Sequence, residues 1–293
     1  MSSPATGEDR PDRPDWLDEA EYPFASNFLA VDGGRMHYVD EGEGPPILMV
    51  HGQPTWSFMY RKLIRGLSPR YRCIAVDHIG FGLSDKPTDW PYTPEKHAAN
   101  LATLVEALGL DALTLLVHDW GGPIGLGYAL SDRARIRRIV ALDTWMWSMR
   151  EHAAGRWFSR IMGSRFGRFG TRRFNLFVDV FMNRALGPRW PEVAAAYRGP
   201  FECAEDREGC ALFPRMLCVP WLDELWQHRD GLADVPARLV WGGADPAFPA
   251  TMRDRLASVF DDCEVSVHEG VGHFVAEELG ERLVPEIEGF LRD

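Results

Sequence analysis

The residues with most chemical potential lie around Asp119, in the stretch Val117-His118-Asp119-Trp120-Gly121-Gly122. An acidic side chain between an apolar run and two glycines has the form of a nucleophile elbow. Such a strand-to-helix turn is so sharp that only small residues fit beside its central side chain. A carboxylate is ionised at neutral pH and needs no base to act as a nucleophile. It suits displacement at an sp³ carbon better than attack on an ester, which would only exchange one acyl group for a reactive anhydride. Taken alone, Asp119 would also read as a helix N-cap; the flanking glycines favour the elbow. Further along the chain come Asp245 and His273, giving the order nucleophile, acid, histidine. His273 is then the general base for a water, and Asp245 holds its tautomer and stabilises the imidazolium. Asp245 sits in the turn Gly242-Gly243-Ala244-Asp245-Pro246-Ala247-Phe248-Pro249, where an Asp is at home in any case. Asp143 is a second candidate for the acid, although a structural role suits it better.

These residues need elements to position them. Short apolar runs at 47–50, 73–76, 113–117, 139–142 and 238–241 read as strands buried on both faces. Residues 36–39 and 264–267 are strand-like as well. Alternation with helical stretches such as 97–108 predicts an α/β fold with a mostly parallel sheet and crossover helices. In such sheets ligands bind outside the carboxyl ends of the strands. His51-Gly52-Gln53-Pro54, Asp77, Asp119, Asp143 and Asp245 all fall just after an apolar run. Residues 144–234 break the rhythm: strand runs stop, and Trp, Phe, Met and Arg dominate. Between 145 and 200 there are ten Arg against three acidic residues. This segment is expected to be a helical cap, with the core domain formed by 23–143 and 235–293. Residues 1–22 carry seven acidic and two basic groups and are expected to be a loose acidic tail.

Composition excludes several classes. Of 293 residues 45% are hydrophobic and 12% aromatic, which rules out general disorder. No apolar run approaches the ~20 residues of a membrane span, and no basic start precedes an apolar stretch as in a secretory signal. A cytoplasmic protein with no membrane partner is expected. The net charge of −11 argues against a nucleic-acid partner. The five scattered cysteines (Cys73, Cys203, Cys210, Cys218, Cys263) form no CxxC pair and no Cys/His group with zinc spacing, so they read as free thiols. No metal or organic cofactor is expected. Homo-oligomerisation is left open.

Together the motifs resemble the haloalkane dehalogenases of the α/β-hydrolase fold. The resemblance spans nearly the whole chain after residue 22. It rests on Tyr22-Pro23-Phe24, His37-Tyr38-Val39-Asp40-Glu41-Gly42, His51-Gly52-Gln53-Pro54-Thr55-Trp56-Ser57, Gly80-Phe81-Gly82-Leu83-Ser84-Asp85-Lys86-Pro87, His118-Asp119-Trp120-Gly121-Gly122 and Trp241-Gly242-Gly243-Ala244-Asp245. The acid at Asp245, with Thr144-Trp145-Met146-Trp147 after the preceding strand, looks most like the family's third subgroup. The resemblance implies a two-step hydrolysis of small haloalkanes to an alcohol and a halide ion. Asp119 displaces halide to form an alkyl ester, and water activated by His273 hydrolyses it. Backbone N–H groups of Gln53 and Trp120 would form the oxyanion hole, and their side chains would bind the halide. The family usually has Asn where Gln53 stands, and this is the one clear departure; Trp145 or Trp147 could supply a donor instead. Phe174, Phe177, Phe181, Trp221, Leu222 and Phe248 are expected to line an apolar pocket under the cap. An epoxide hydrolase is the nearest alternative, but that family uses two lid tyrosines and segment 144–234 has only Tyr197. Fluoroacetate dehalogenases resemble the elbow motifs less well, and a Ser esterase lacks its nucleophile here. A non-catalytic binder on the same shell is the alternative of another class.

Overall fold

The computed structural model describes residues 14–292. Eight strands form one sheet: β1 (Asn27–Val31), β2 (Gly34–Glu41), β3 (Pro46–Val50), β4 (Arg72–Val76), β5 (Leu113–Asp119), β6 (Ile136–Thr144), β7 (Ala237–Gly242) and β8 (Cys263–His268). Their spatial order is β1-β2-β4-β3-β5-β6-β7-β8. β2 runs antiparallel to both of its neighbours, and every pairing from β4 to β8 is parallel. Each expected strand lies inside an observed one. β1 (Asn27–Val31) lies outside the expected strands, although Phe28-Leu29-Ala30-Val31 is an apolar run; none of its residues is fully buried, as suits a strand at the edge of the sheet. The central strand β5 is buried at all seven positions, as a strand covered by helices on both faces must be.

The helices that flank the sheet are α1 (Arg61–Leu67), α2 (Pro94–Ala107) and α3 (Gly121–Ser131) before β6, and three more after β7. Between β6 and β7 the chain makes a helical insertion: α4 (Ala153–Met162), α5 (Arg165–Phe174), α6 (Asn183–Leu186), α7 (Trp190–Arg198), α8 (Glu208–Met216) and α9 (Pro220–Gln227), with a π-helical turn over Phe177–Met182. α10 (Ala250–Ala257), α11 (Val275–Leu279) and α12 (Val284–Arg292) complete the core.

A buried ionic cluster ties insertion to core. Arg61 on α1 makes a bidentate pair with Glu277 on α11, at 2.6 and 2.9 Å, and the Tyr197 hydroxyl of α7 donates to the same carboxylate at 2.8 Å. A buried ion pair survives only when its remaining lone pairs are also satisfied, and here the tyrosine and Lys62 supply donors.

The expected acidic tail divides. Residues 1–13 lie outside the described residues. The reading of a loose segment does not extend to 14–22: Leu17 and Tyr22 are buried. The Trp16 ring meets Trp56 edge-on at 5.9 Å, and the Tyr22 hydroxyl lies 2.5 Å from Ser57 Oγ. Three large apolar side chains in nine residues gave that stretch enough area to offset its ordering entropy. The average charge of the segment concealed this. The five cysteines are free thiols, as expected.

Candidate active site

The elbow follows directly from the sequence. β5 ends at Asp119, whose φ is 49°, and α3 begins two residues later. A non-glycine residue in this left-handed region is strained and must be held by its surroundings. The hold comes from Thr144, whose hydroxyl donates to the Asp119 carbonyl at 2.5 Å. Close approach explains the glycines: a Cβ on Gly121 would come within 2.0 Å of the Val50 carbonyl oxygen, and one on Gly122 within 1.8 Å of Thr144 Oγ1.

The loop after β3 supplies the facing wall. His51 Nδ1–H donates to the Gly52 carbonyl at 2.8 Å, and its Nε2 accepts from the His78 backbone N–H at 3.0 Å. Burial, only partly opposed by Asp77, pushes His51 down to about 4, so it stays neutral and can play both parts. The loop thus fixed aims the Gln53 backbone N–H at Asp119 Oδ1, at 2.8 Å. The Trp120 backbone N–H also bonds to this carboxylate.

The other carboxylate oxygen faces the histidine. His273 Nε2 stands 3.7 Å from Asp119 Oδ2, and its Nδ1–H donates to Asp245 Oδ2 at 2.8 Å. Asp245 in turn accepts from the Ala247 backbone N–H at 2.7 Å. Phe248 stacks on the His273 ring at 5.1 Å, and His118 donates to the His273 carbonyl at 2.9 Å. The structure therefore brings together Asp119, Asp245, His273, Trp120 and Gln53.

Electrostatics follow from this packing. Burial pushes Asp119 up to about 6, against the pull of His273 and the two backbone N–H groups. For His273, burial favours the neutral form, but the carboxylates of Asp245, Asp119 and Asp143 outweigh it and push the imidazole up to about 9. Burial disfavours the Asp245 carboxylate, yet His273 and two backbone N–H groups hold it below its ordinary range.

Asp143 shares the cluster. A ligand atom from each of Asp143, Asp245 and His273 lies within 4.8 Å of the others. The β5–β6 pairing skips from Leu142 to Thr144, so Asp143 bulges out with φ 29°. Its oxygens accept from the Gly242 N–H at 3.0 and 3.2 Å, and burial pushes its pKa up to about 8. It is Asp245 that hydrogen-bonds the histidine.

Several expectations about the surroundings need correction. Phe174 and Phe181 are exposed rather than pocket-lining. Trp221 packs over Gly127 of α3 and lines a surface hollow with Leu130, Glu224 and His228. Phe177 is buried against Phe158 and Phe181. The insertion covers the site instead with α8, whose Phe213 ring lies 4.9 Å from that of Trp120. Neither Phe213 nor α8 was singled out from sequence; an aromatic in an aromatic-rich helical segment carries no mark of which way it will point. The Gln53 amide nitrogen donates to the Cys210 carbonyl of α8 at 2.7 Å, so one of its two N–H groups is already engaged. Trp145 meets Trp120 at 4.9 Å and Phe248 at 5.4 Å, and its buried indole N–H has no hydrogen-bond partner among the described residues.

An Asp at the elbow, backed by a His–Asp pair at neighbouring strand ends, defines a hydrolase built on the parallel sheet. The model of the alpha/beta hydrolase fold matches residues 45–278, and the chain belongs to that family and, within it, with the haloalkane dehalogenases. It is 38% identical to Haloalkane dehalogenase 2 of Mycobacterium tuberculosis, over 91% of this chain and 94% of that one. It is also 35% identical to a cis-3-alkyl-4-alkyloxetan-2-one decarboxylase of Xanthomonas campestris, over 92% of this chain and 97% of the relative. Among solved structures it resembles haloalkane dehalogenase DbeA from Bradyrhizobium elkani (TM-score 0.81, 25% identity, 92% of this chain and 99% of the other). It also resembles a mutant form of haloalkane dehalogenase DatA from Agrobacterium tumefaciens (TM-score 0.85, 25% identity, 94% and 100%).

Proposed function

We propose that the chain hydrolyses haloalkanes to an alcohol and a halide ion, with Asp119 as nucleophile, His273 as base and Asp245 as its orienting acid. The observation that carries the reading is the division of labour between the two oxygens of Asp119. Oδ1 sits on the Gln53 N–H at 2.8 Å, and Oδ2 faces His273 at 3.7 Å. Oδ2 attacks the carbon bearing the halogen from the back, and the C–halogen bond breaks with both electrons going to halide. The resulting ester carbonyl keeps Oδ1 on the backbone N–H groups of Gln53 and Trp120. The 3.7 Å gap is too long for a direct hydrogen bond, which leaves His273 Nε2 free to hold a water. That water loses a proton to Nε2 as it attacks the carboxyl carbon; the bond to the alkoxy oxygen then breaks, Nε2 returns its proton to make the alcohol, and Asp119 sheds the water's other proton to solvent.

Esterification also sets the base. While Asp119 is charged it supports the imidazolium; once alkylated it has no charge, so His273 releases its proton more readily. Halide leaves without an acid but needs N–H donors. Trp120 provides one. With one Gln53 N–H held by Cys210, the buried, unpartnered indole of Trp145 is the second donor in this reading.

The same engaged amide favours a second reading, the activity that the Xanthomonas campestris relative is named for. A carboxylate leaving group on a four-membered lactone disperses its charge and asks less of a halide-type cradle. Backside attack of Asp119 at the ring carbon bearing oxygen would free a carboxylate on the adjacent carbon. Loss of CO₂ then forms the C=C bond as the Asp119–carbon bond breaks, so Asp119 is regenerated without water. The epoxide hydrolase reading loses support, because Tyr197 is spent on Glu277 within the buried ionic cluster.

Bromide release from 1-bromobutane and 1,2-dibromoethane, run beside alkene and CO₂ formation from a cis-3,4-dialkyloxetan-2-one, decides between the two. The wild type is expected to release bromide and Asp119→Ala to release none. Equal release by both would remove Asp119 as nucleophile. His273→Phe is expected to retain a covalent alkyl group, visible as added intact mass, and an unmodified mass would end the two-step scheme.

A further inference from the structure

Two helices of the insertion are packed inside out. In α4 the positions turned inward are Gly155, Ser159 and Met162, while Trp157 and Ile161 are 57% and 60% exposed. In α5 the small residues Gly167, Gly170 and Thr171 face the protein, and Phe166 is 89% exposed, with Phe169 and Phe174 also outside. The small residues are required: a Cβ on Gly167 would come within 2.4 Å of the Ile161 and Met162 carbonyl oxygens. Phe158, Val180 and Phe181 extend the patch. Apart from Val265 and Val267 on the edge strand, every large apolar side chain exposed among the described residues falls between 157 and 181, so exposure is concentrated in α4, α5 and the turn after them.

The patch is also basic, on a molecule whose net charge is −11. Arg168 and Arg172 pair with Glu208, and Arg198 pairs with Asp179. Arg160, Arg165 and Arg173 have no carboxylate partner among the described residues; Arg160 lies over the Trp157 ring and Arg173 over Phe174. A second copy presenting the same face would set arginine against arginine. A surface that offers both acyl chains and phosphates satisfies the aromatic side chains and the guanidinium groups together.

We propose that α4, α5 and the π-helical turn after them form a peripheral docking face for an anionic lipid bilayer. Sequence inspection for spanning segments expects no membrane partner, and no helix among the described residues is long and apolar enough to cross one; this contact lies on the surface instead. α8 packs beneath α4 and α5 and carries Phe213 beside Trp120. The docking face is therefore one helix layer from the candidate active site, on the side from which an apolar substrate held in lipid would arrive.

The test is co-sedimentation of the full chain with vesicles of phosphatidylglycerol and phosphatidylethanolamine, and with phosphatidylcholine alone. The wild type is expected to sediment with the anionic vesicles and to be released by salt. Phe166→Ser/Phe169→Ser should cut partitioning by on the order of tenfold or more. Arg160→Gln/Arg165→Gln/Arg173→Gln should cut it about fivefold per arginine. Thermal unfolding and turnover of a water-soluble bromoalkane should stay at wild-type values in both variants, because these side chains touch neither core nor site. Failure of the wild type to prefer anionic vesicles overturns the proposal, whether or not the chain catalyses dehalogenation. Light scattering then tests the other occupant: a dimer abolished by Phe166→Ser/Phe169→Ser assigns the face to a second copy.

Discussion

The side-chain amide of Gln53 donates to the backbone carbonyl of Cys210 at 2.7 Å, joining the loop after β3, whose Gln53 N–H bonds Asp119, to α8. One residue thus offers its backbone N–H to Asp119 and its side chain to the insertion. The contact makes Gln53 a strut as well as a donor. Gln53→Ala is expected to lower stability by about 1 kcal/mol, the net worth of such a bond, and to leave bromide release within about tenfold of wild type. Trp145→Phe keeps the ring and removes the N–H. It is expected to weaken bromide binding, read by quenching of tryptophan fluorescence, by about tenfold or more. Unchanged bromide affinity would remove Trp145 from the halide cradle.

The two chemical steps should respond to pH in opposite ranges. Alkylation needs ionised Asp119, which is held at about 6. The rate of the bromide burst in rapid-quench experiments should be level above about pH 7 and fall about tenfold per unit below about 6. Ester hydrolysis needs neutral His273. The imidazole is at about 9 in the resting enzyme and lower in the ester, where Asp119 no longer contributes charge. Hydrolysis of the wild-type alkyl-enzyme ester, followed in single-turnover experiments, should therefore rise between about pH 6 and 9. A burst rate unchanged down to about pH 4.5 would contradict an Asp nucleophile in this setting. For stability the sign is that of a raised histidine: its contribution is complete below the ordinary imidazole value of 6.5 and is lost as pH rises through about 9.

Asp143 and Asp245 separate by role. Asp245→Asn removes the acceptor that fixes the His273 tautomer and should lower turnover by roughly 10³–10⁴. Burial raises the Asp143 pKa to about 8, and its carboxyl accepts from the Gly242 N–H at the end of β7. Asp143→Asn keeps the shape of the side chain and an acceptor for that N–H, and should leave turnover within about tenfold. A loss from Asp143→Asn as large as that from Asp245→Asn would show that the histidine is served by both acids.

Glu277 should matter for stability and not for chemistry. Glu277→Ala leaves the buried Arg61 guanidinium without its bidentate partner and with only the half-exposed Glu21 on its Nε, at a cost of about 3 kcal/mol, or a Tm lower by on the order of 10 °C. In the wild type, burial disfavours the Glu277 carboxylate but Arg61, Lys62 and Tyr197 hold its pKa below the usual value. Its contribution is therefore present above the unfolded carboxylate range and lost as pH falls. A Tm unchanged by Glu277→Ala would mean that water fills the vacated site and solvates Arg61.

The sequence alone singled out Asp119, Asp245 and His273 as candidates, in that chain order, and marked the strands from β2 to β8. These are local matters: an apolar run stopped by Asp and two glycines admits few backbone solutions, and each strand carries its own burial pattern. Tertiary structure decided what depends on residues far apart in the chain. It set Gln53 against Cys210, put Phe213 rather than Phe174 or Phe181 near Trp120, and chose Asp245 over Asp143 for the histidine. It also turned the aromatic sides of α4 and α5 outward. Hydrophobic periodicity tells which residues share a helix face, but the packing of that helix decides which face is buried. In α4 and α5 the close approach of backbones demanded the small side, so Gly167 went in and Phe166 went out.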